Sequence, residues 1–244
     1  MLLEPWQWLI ALVAALLVGF SKTGLPGMGI LAVALLAEVF PARQAVGAIL
    51  PLLILGDLFA VRYYHKNTQW ARLWELFPCV LGGMAAGFVF LFYVRGAHFK
   101  PFLGGLILLL SLLEMLRARQ GWHQFPHRPW FTVITGLLAG FATTVGNVAG
   151  PIMNIYLMAK GLDKLHFMGT LAWYFFIFNC LKLPLYFGLG MINRQTLIFD
   201  LLAAPMVVVG ALLGRWILHR ISLVWFRRLV MLLAVAAAMR LLCG

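Results

Sequence analysis

The sequence predicts an all-α integral membrane protein, an inverted-repeat helical bundle of 5+5 elements with a broken or re-entrant helix pair opening each half. Three observations predict it. The 244 residues are 64% hydrophobic and 11% charged. A soluble domain carries charge on about a quarter of its residues, so this chain has too few charges to cover a water-facing surface. The apolar residues fall in runs separated by short polar or basic linkers. Two glycine-rich interruptions, "GFSKTGLPGMGIL" at 19–31 and "GFATTVGNVAGPI" at 140–152, stand at matching places in the two halves.

The runs, in order, are 5–20, 28–40, 44–61, 73–94, 99–116, 130–145, 148–160, 165–190, 196–218 and 223–243. A spanning helix needs about 20 residues, with a lower limit near 17. Runs 28–40 and 148–160 are too short to span. Runs 5–20 and 130–145 are borderline, and the other six can cross or nearly so. The chain reads as one transmembrane domain over 1–244, with no soluble domain. The N-terminal "MLLEPWQW" has an acid and no base before its first run, so the charged start of a signal peptide is not expected there.

The net charge of +12 comes mainly from the linkers, among them 62–72, 117–128, 160–164 and 214–228. Between apolar runs this charge speaks of topology and anionic lipid headgroups rather than nucleic acid. Lys and Arg are in excess in linkers that follow odd-numbered runs. The positive-inside rule then places those linkers in the cytoplasm and the N-terminus outside. His65, His123, His127 and His219 fall in or beside basic linkers and read as interfacial. Trp and Tyr near run ends read as interface anchors. Cys79, Cys180 and Cys243 form no CxxC pair and read as packing residues.

The halves, about 5–118 and 129–243, align with few gaps. Gly19-Phe20 matches Gly140-Phe141, Thr23 matches Thr144, and Gly29 matches Gly150. Further on, Gly47 matches Gly169, Asp57 matches Asn179, and Tyr64 matches Tyr186. Later still, Pro78, Gly83, Gly87 and Phe99-Lys100 match Pro205, Gly210, Gly214 and Phe226-Arg227. An odd number of crossings per half inverts the second half. Inverted repeats with interrupted segments at matching positions are the best pointer to a transport site. Gly82, Gly83, Gly87, Gly210 and Gly214 read as close-packing positions.

The interruptions carry the candidate chemistry. Irregular backbone at membrane depth is tolerated only where protein buries it or a watery cavity adjoins it. Pro26 lacks an N–H, and with the glycines around it favours a loop. Each stretch therefore reads as helix, break, helix, with Pro26 and Pro151 in the first turn of the second helix, which begins near 26–28 and 150–152. Such a helix start offers free N–H groups and about half a positive charge, which favours an anion. The candidate binding residues are Ser21, Lys22, Thr23, Gly24, Gly27, Thr143, Thr144, Gly146 and Asn147. They supply hydroxyls, an amide and one ammonium, and no carboxylate lies in either break. That set suits an oxyanion better than a metal, and no metal or cofactor is expected. The carbonyl ends of the first helices can also hold Na⁺.

Blander roles stand beside these. Lys22 can snorkel to an interface, Thr143 and Thr144 can bond their own helix, and Asn147 can cap the next one. Asp57, Asn179 and Lys182 lie inside apolar runs and read as coupling or gating groups, since an acid in a membrane pairs, protonates or lines a pathway. The alternative for Asp57 is a structural tie to Asn179, Lys182 or Arg62.

The segments "GFSKTGLPGMGIL", "AVGAILPLLILGDLFAVRYY" and "GLLAGFATTVGNVAGPIMNIYL" resemble the sulfite exporter TauE/SafE family, also called the toluene sulfonate uptake permease family. The likeness covers about residues 7 to 240 and is most specific at the paired breaks, Gly19 through Gly29 and Gly140 through Pro151. Many members carry more glycines in the first break, where this chain has "SKTGLPG" with Lys22. The resemblance implies a multi-pass transporter of the bacterial cytoplasmic membrane. It implies a small sulfur-containing anion such as sulfite, thiosulfate or an organosulfonate as cargo. The expected function is secondary transport, as an exporter, by alternating access around a midplane site. An anion channel on the same scaffold or a carrier of a non-sulfur organic anion are the alternatives. The expected partners are the anion, membrane lipid and a coupled H⁺ or Na⁺, with no nucleic acid. No GxxxxGK[ST], HExxH or GxSxG motif and no paired acids occur, so neither ATP use nor an enzyme is expected.

Overall fold

Long apolar runs without polar interruption fold as helices, because a helix satisfies its own backbone groups where no water can. The computed structural model describes residues 4–94, 98–120, 129–218 and 224–243, and among them no strand occurs. The helices are α1 (Pro5–Thr23), α2 (Gly29–Val39), α3 (Ala42–Tyr64), α4 (Trp70–Tyr93) and α5 (Phe99–Gln120), then α6 (Pro129–Gly146), α7 (Gly150–Ala159), α8 (Lys164–Gly188), α9 (Arg194–Leu218) and α10 (Val224–Cys243). Among the described residues, seven segments are long and apolar enough to cross a membrane: α1, α3 with its 3₁₀ extension to Asn67, α4, α5 as far as Leu116, α6, α8, and α9 as far as Ile217. The chain is a helical multi-pass membrane protein. His123, His127 and His219 lie outside the described residues, as do the side chains of Phe226, Arg227 and Cys243.

Local chemistry sets the helix ends. Pro5 sits in the first turn of α1, where its missing N–H costs nothing. Glu4 and Gln7 close a capping box there, with the Glu4 N–H donating to Gln7 Oε1 at 2.9 Å. Asp163 caps α8, accepting from the N–H groups of Leu165 and His166 at 3.0 Å. Pro151 stands in the first turn of α7, as expected from sequence.

The breaks are shorter than the sequence predicts. α1 stays helical through Thr23, and the Gly24 N–H still donates to the Phe20 carbonyl at 2.9 Å. Ser21, Lys22 and Thr23 therefore occupy the last turns of a helix. Thr143, Thr144 and Gly146 likewise belong to α6. Only 24–28 and 147–149 depart from the α-helix. Pro26 lies ahead of α2, which starts at Gly29, and not in its first turn. Both breaks turn through the left-handed region, at Gly27 (φ 98°) and Asn147 (φ 56°). Gly tolerates that geometry freely and Asn better than most residues.

The helices pack as α1 on α9, α4 on α6, α5 on α10, and α3 on α8. The first two contacts are backbone-close. A methyl group on Gly19 would overlap the Val207 carbonyl of α9, and one on Gly140 would overlap the Val80 carbonyl of α4. Gly83, Gly87, Gly210 and Gly214 also face neighbouring backbone or Cβ atoms at such short range, and Gly82 meets the Leu137 side chain. This is the small-residue packing of membrane helices. α2 and α7 are short and almost wholly buried. The outer faces are apolar, with Leu201, Trp74 and Leu9 exposed, as a lipid-facing surface requires.

Candidate functional site

The ends of α1 and α6 and the starts of α2 and α7 converge. A Cβ on Gly150 would lie 3.1 Å from the Gly27 Cα, so the two breaks touch. From α7, Asn154 Nδ2 donates to the Pro26 carbonyl at 3.3 Å. Beside this meeting point lies a cavity of about 40 Å³. One water needs roughly 10–15 Å³ on that measure, so there is room for about three waters or one small oxyanion. Ser21, Lys22, Gly27, Thr143, Asn147 and Asn179 line it, with Asp57. The starting residues of both short helices, Gly29, Ile30, Gly150 and Pro151, also face it.

Two lysines enter this region with one carboxylate. Lys22 Nζ lies 2.8 Å from Asp57 Oδ1, with the lysine side chain 8% exposed and the acid fully buried. It also sits 4.0 Å above the Phe175 ring centroid, a cation–π placement. Asn179 Nδ2 donates to Asp57 Oδ2 at 2.6 Å. On the other side, Lys182 Nζ donates to the Thr143 carbonyl and hydroxyl at 2.9 Å each and to Asn147 Oδ1 at 2.6 Å. The Thr143 hydroxyl oxygen, which accepts from Lys182, lies on the cavity wall. Asn147 Nδ2 donates to the Val46 carbonyl at 2.9 Å.

Several sequence expectations change here. Lys22 does not snorkel, because it is buried against Asp57. Asp57 is tied to Asn179, as one reading held, but its cationic partner is Lys22 rather than Lys182 or Arg62. Asn147 does not cap α7: the cap position is Ala149, and the Asn147 amide bridges α6, α3 and α8 instead. Thr144 bonds its own helix, donating to the Gly140 carbonyl at 2.9 Å. Thr23 donates to the Ala211 carbonyl at 2.6 Å and so ties α1 to α9. Thr23, Gly24, Thr144, Gly146 and Lys182 stand behind the cavity wall rather than on it. Two tyrosines brace the wall in parallel: Tyr64 donates to the Thr23 carbonyl at 2.7 Å, and Tyr186 to the Thr144 carbonyl at 2.6 Å.

Sequence reasoning missed other buried polar groups. Glu114 in α5 is fully buried, and its Oε1 accepts from Asn154 Nδ2 at 3.3 Å. Ser111 is fully buried one turn earlier, and Asp200 in α9 is 5% exposed. A polar residue within an apolar run was the available signal. It is followed at Asp57, Asn179 and Lys182; Glu114 stands near the end of run 99–116, beside the basic linker at 117–128. Among the described residues, no three of His, Cys, Asp and Glu come together.

A multi-pass helical bundle with interrupted helices meeting at a buried, charge-lined cavity has the build of a membrane transporter. The chain belongs to the sulfite exporter TauE/SafE family, whose model matches residues 11–241. It is accordingly a membrane transporter of an exporter family. No curated protein and no solved structure matches it significantly.

Proposed function

We propose that this protein is a secondary transporter that exports a small sulfur oxyanion of sulfite or thiosulfate size across the bacterial cytoplasmic membrane. The observation that carries the proposal is the Lys22 ammonium on the cavity wall, with Lys182 close behind it. Two ammonium groups against one carboxylate leave the buried Lys22–Asp57–Lys182 cluster at +1 when all three are ionised. A buried net positive charge is costly alone and is offset by an anion. Hydroxyl and amide donors at Thr143 and Asn179, and the starts of two short helices, complete an oxyanion environment. The cavity, at about 40 Å³, is small, which supports a small anion as cargo.

The transport cycle we propose is alternating access between halves at about 5–118 and 129–243. Paired contacts support an inverted repeat: α1 on α9 answers α6 on α4, Gly19 answers Gly140, and Tyr64 answers Tyr186. Efflux of an anion runs down a membrane potential that is negative inside. Asp57 is the coupling group of the scheme. It holds Lys22, and an anion arriving at Lys22 must displace the carboxylate or meet it protonated.

Thermal unfolding of the purified protein with sulfite, thiosulfate, sulfate, sulfoacetate, taurine and carboxylate controls tests the site. Sulfite and thiosulfate should stabilise selectively, and less so in Lys22→Ala and Asn147→Ala. Equal stabilisation by carboxylates would overturn the sulfur-anion reading. In proteoliposomes, a proton gradient should alter sulfite flux through the wild type but not through Asp57→Asn. Unchanged proton dependence in that variant removes Asp57 from coupling.

A further inference from the structure

A second cavity of about 300 Å³ lies on the other side of the first break. Leu25, Asn154, Met158, Lys164 and Phe167 line it, and Pro26 lines both cavities. The peptide at Pro26–Gly27 is therefore the partition between them. We propose that this second cavity is the vestibule through which the anion reaches the inner site from the cytoplasm, and that Asn154 is the latch holding the Pro26–Gly27 partition shut. The inference rests on the transporter reading above.

The partition is built to move. It lies outside both flanking helices, so no helical ladder holds it. Its geometry depends on Gly27 in the left-handed region. From across the break, Asn154 Nδ2 bridges the Pro26 carbonyl and Glu114 Oε1, at 3.3 Å each. Both bonds are longer than the usual N–H···O distance of about 2.9–3.0 Å, so they are weak. Asn154 Oδ1 is buried with no hydrogen-bond partner among the described residues. An orphaned amide oxygen costs free energy that rotation into a hydrated passage recovers. One side chain thus ties the partition to α5 and α7 and gains an acceptor site when the tie is released.

The vestibule suits passage rather than storage. Its walls are mostly apolar, and Lys164 adds a cation that draws anions toward the mouth. Lys164 follows the linker after α7, at 160–164, which the positive-inside reading places in the cytoplasm. For an exporter that is the loading side.

Cysteine accessibility in a background with Cys79, Cys180 and Cys243 each changed to alanine tests the proposal. Met158→Cys reports the vestibule and Ala172→Cys the inner cavity. A membrane-impermeant methanethiosulfonate should modify Met158→Cys in inverted vesicles and not in whole cells. Ala172→Cys should react slowly, and adding Asn154→Ala should raise its rate from the cytoplasmic side by roughly five- to tenfold, as loss of two weak hydrogen bonds implies. Asn154→Ser, which keeps a polar group, gives the same comparison if the alanine variant does not fold. Modification of Met158→Cys only from outside, or an Ala172→Cys rate that neither Asn154 variant changes, overturns the proposal. Sulfite stabilisation of the same cysteine-free protein reads the anion site separately. Its loss with gating intact would refute the cargo and leave the latch standing.

Discussion

Replacing Asp57 with asparagine isolates the charge balance at the cavity. The change keeps the shape of the side chain and removes the carboxylate that faces the Lys22 ammonium. The lost contact is the 2.8 Å ion pair to Lys22, between side chains 8% and 0% exposed. Removing one partner of a buried pair costs about 3–5 kcal/mol, because the other charge stays buried without compensation. At about 2–4 °C per kcal/mol for a chain of this size, the midpoint of unfolding should fall by about 6–20 °C. Arg72→Gln, which removes a 3.3 Å ion pair to Glu75 between side chains 39% and 35% exposed, should cost about 1 kcal/mol or less. Burial sets most of the difference, because neither partner there is left in a low-dielectric interior. Sulfite should then stabilise Asp57→Asn more than it stabilises the wild type. An anion at 100 times its dissociation constant restores about 2.7 kcal/mol. Thermal unfolding in detergent, with and without sulfite, reads both effects. An Asp57→Asn protein as stable as the wild type, or one that gains no more from sulfite, refutes the reasoning.

Lys182→Met removes the donor to three acceptors on Thr143 and Asn147. It should cost about 3 kcal/mol and weaken sulfite binding as the cluster falls to zero net charge; unchanged affinity by calorimetry argues against a role for its charge. Gly140→Ala forces a methyl group onto the Val80 carbonyl of α4. It should destabilise by about 1–3 kcal/mol or more, whereas Gly188→Ala, which meets nothing within 4 Å, should be neutral or slightly stabilising in the same thermal assay. The Asp163 carboxyl is held below its ordinary 3.8 by the backbone N–H and then the ring of His166. Its capping contribution is therefore complete above pH 3.8 and fades as pH falls through the lower folded value. Hydrogen exchange at the start of α8 should rise in that acidic window and be insensitive to it in Asp163→Ala.

The sequence by itself determined the class of the molecule. Hydropathy is a local property, so the ten α-helices of the described residues, their short members at 29–39 and 150–159, and the two interruptions could be read from runs of side chains without knowing any contact. The glycines at 19 and 140 and the aligned tyrosines at 64 and 186 were legible for the same reason. The extent of each break was not. The backbone of Ser21–Thr23 and Thr143–Gly146 keeps its helical hydrogen bonds despite the polar side chains, because Ser21 and Thr144 bond carbonyls of their own helices and neighbouring helices partner the others. Thr23 reaches the Ala211 carbonyl, and Thr143 and Asn147 receive Lys182.

Only the tertiary structure decided which charges meet. Lys22 and Asp57 lie on different helices, Asp57 and Asn179 on opposite halves of the chain, and Glu114 and Asn154 on helices that their runs do not relate. In a low-dielectric interior each charge must find a partner at contact distance, and that choice depends on helix packing, rotation and depth. Composition and spacing along one strand of sequence do not encode those three quantities, so the pairing of the cavity, and with it the net charge offered to an anion, emerges only when the bundle closes.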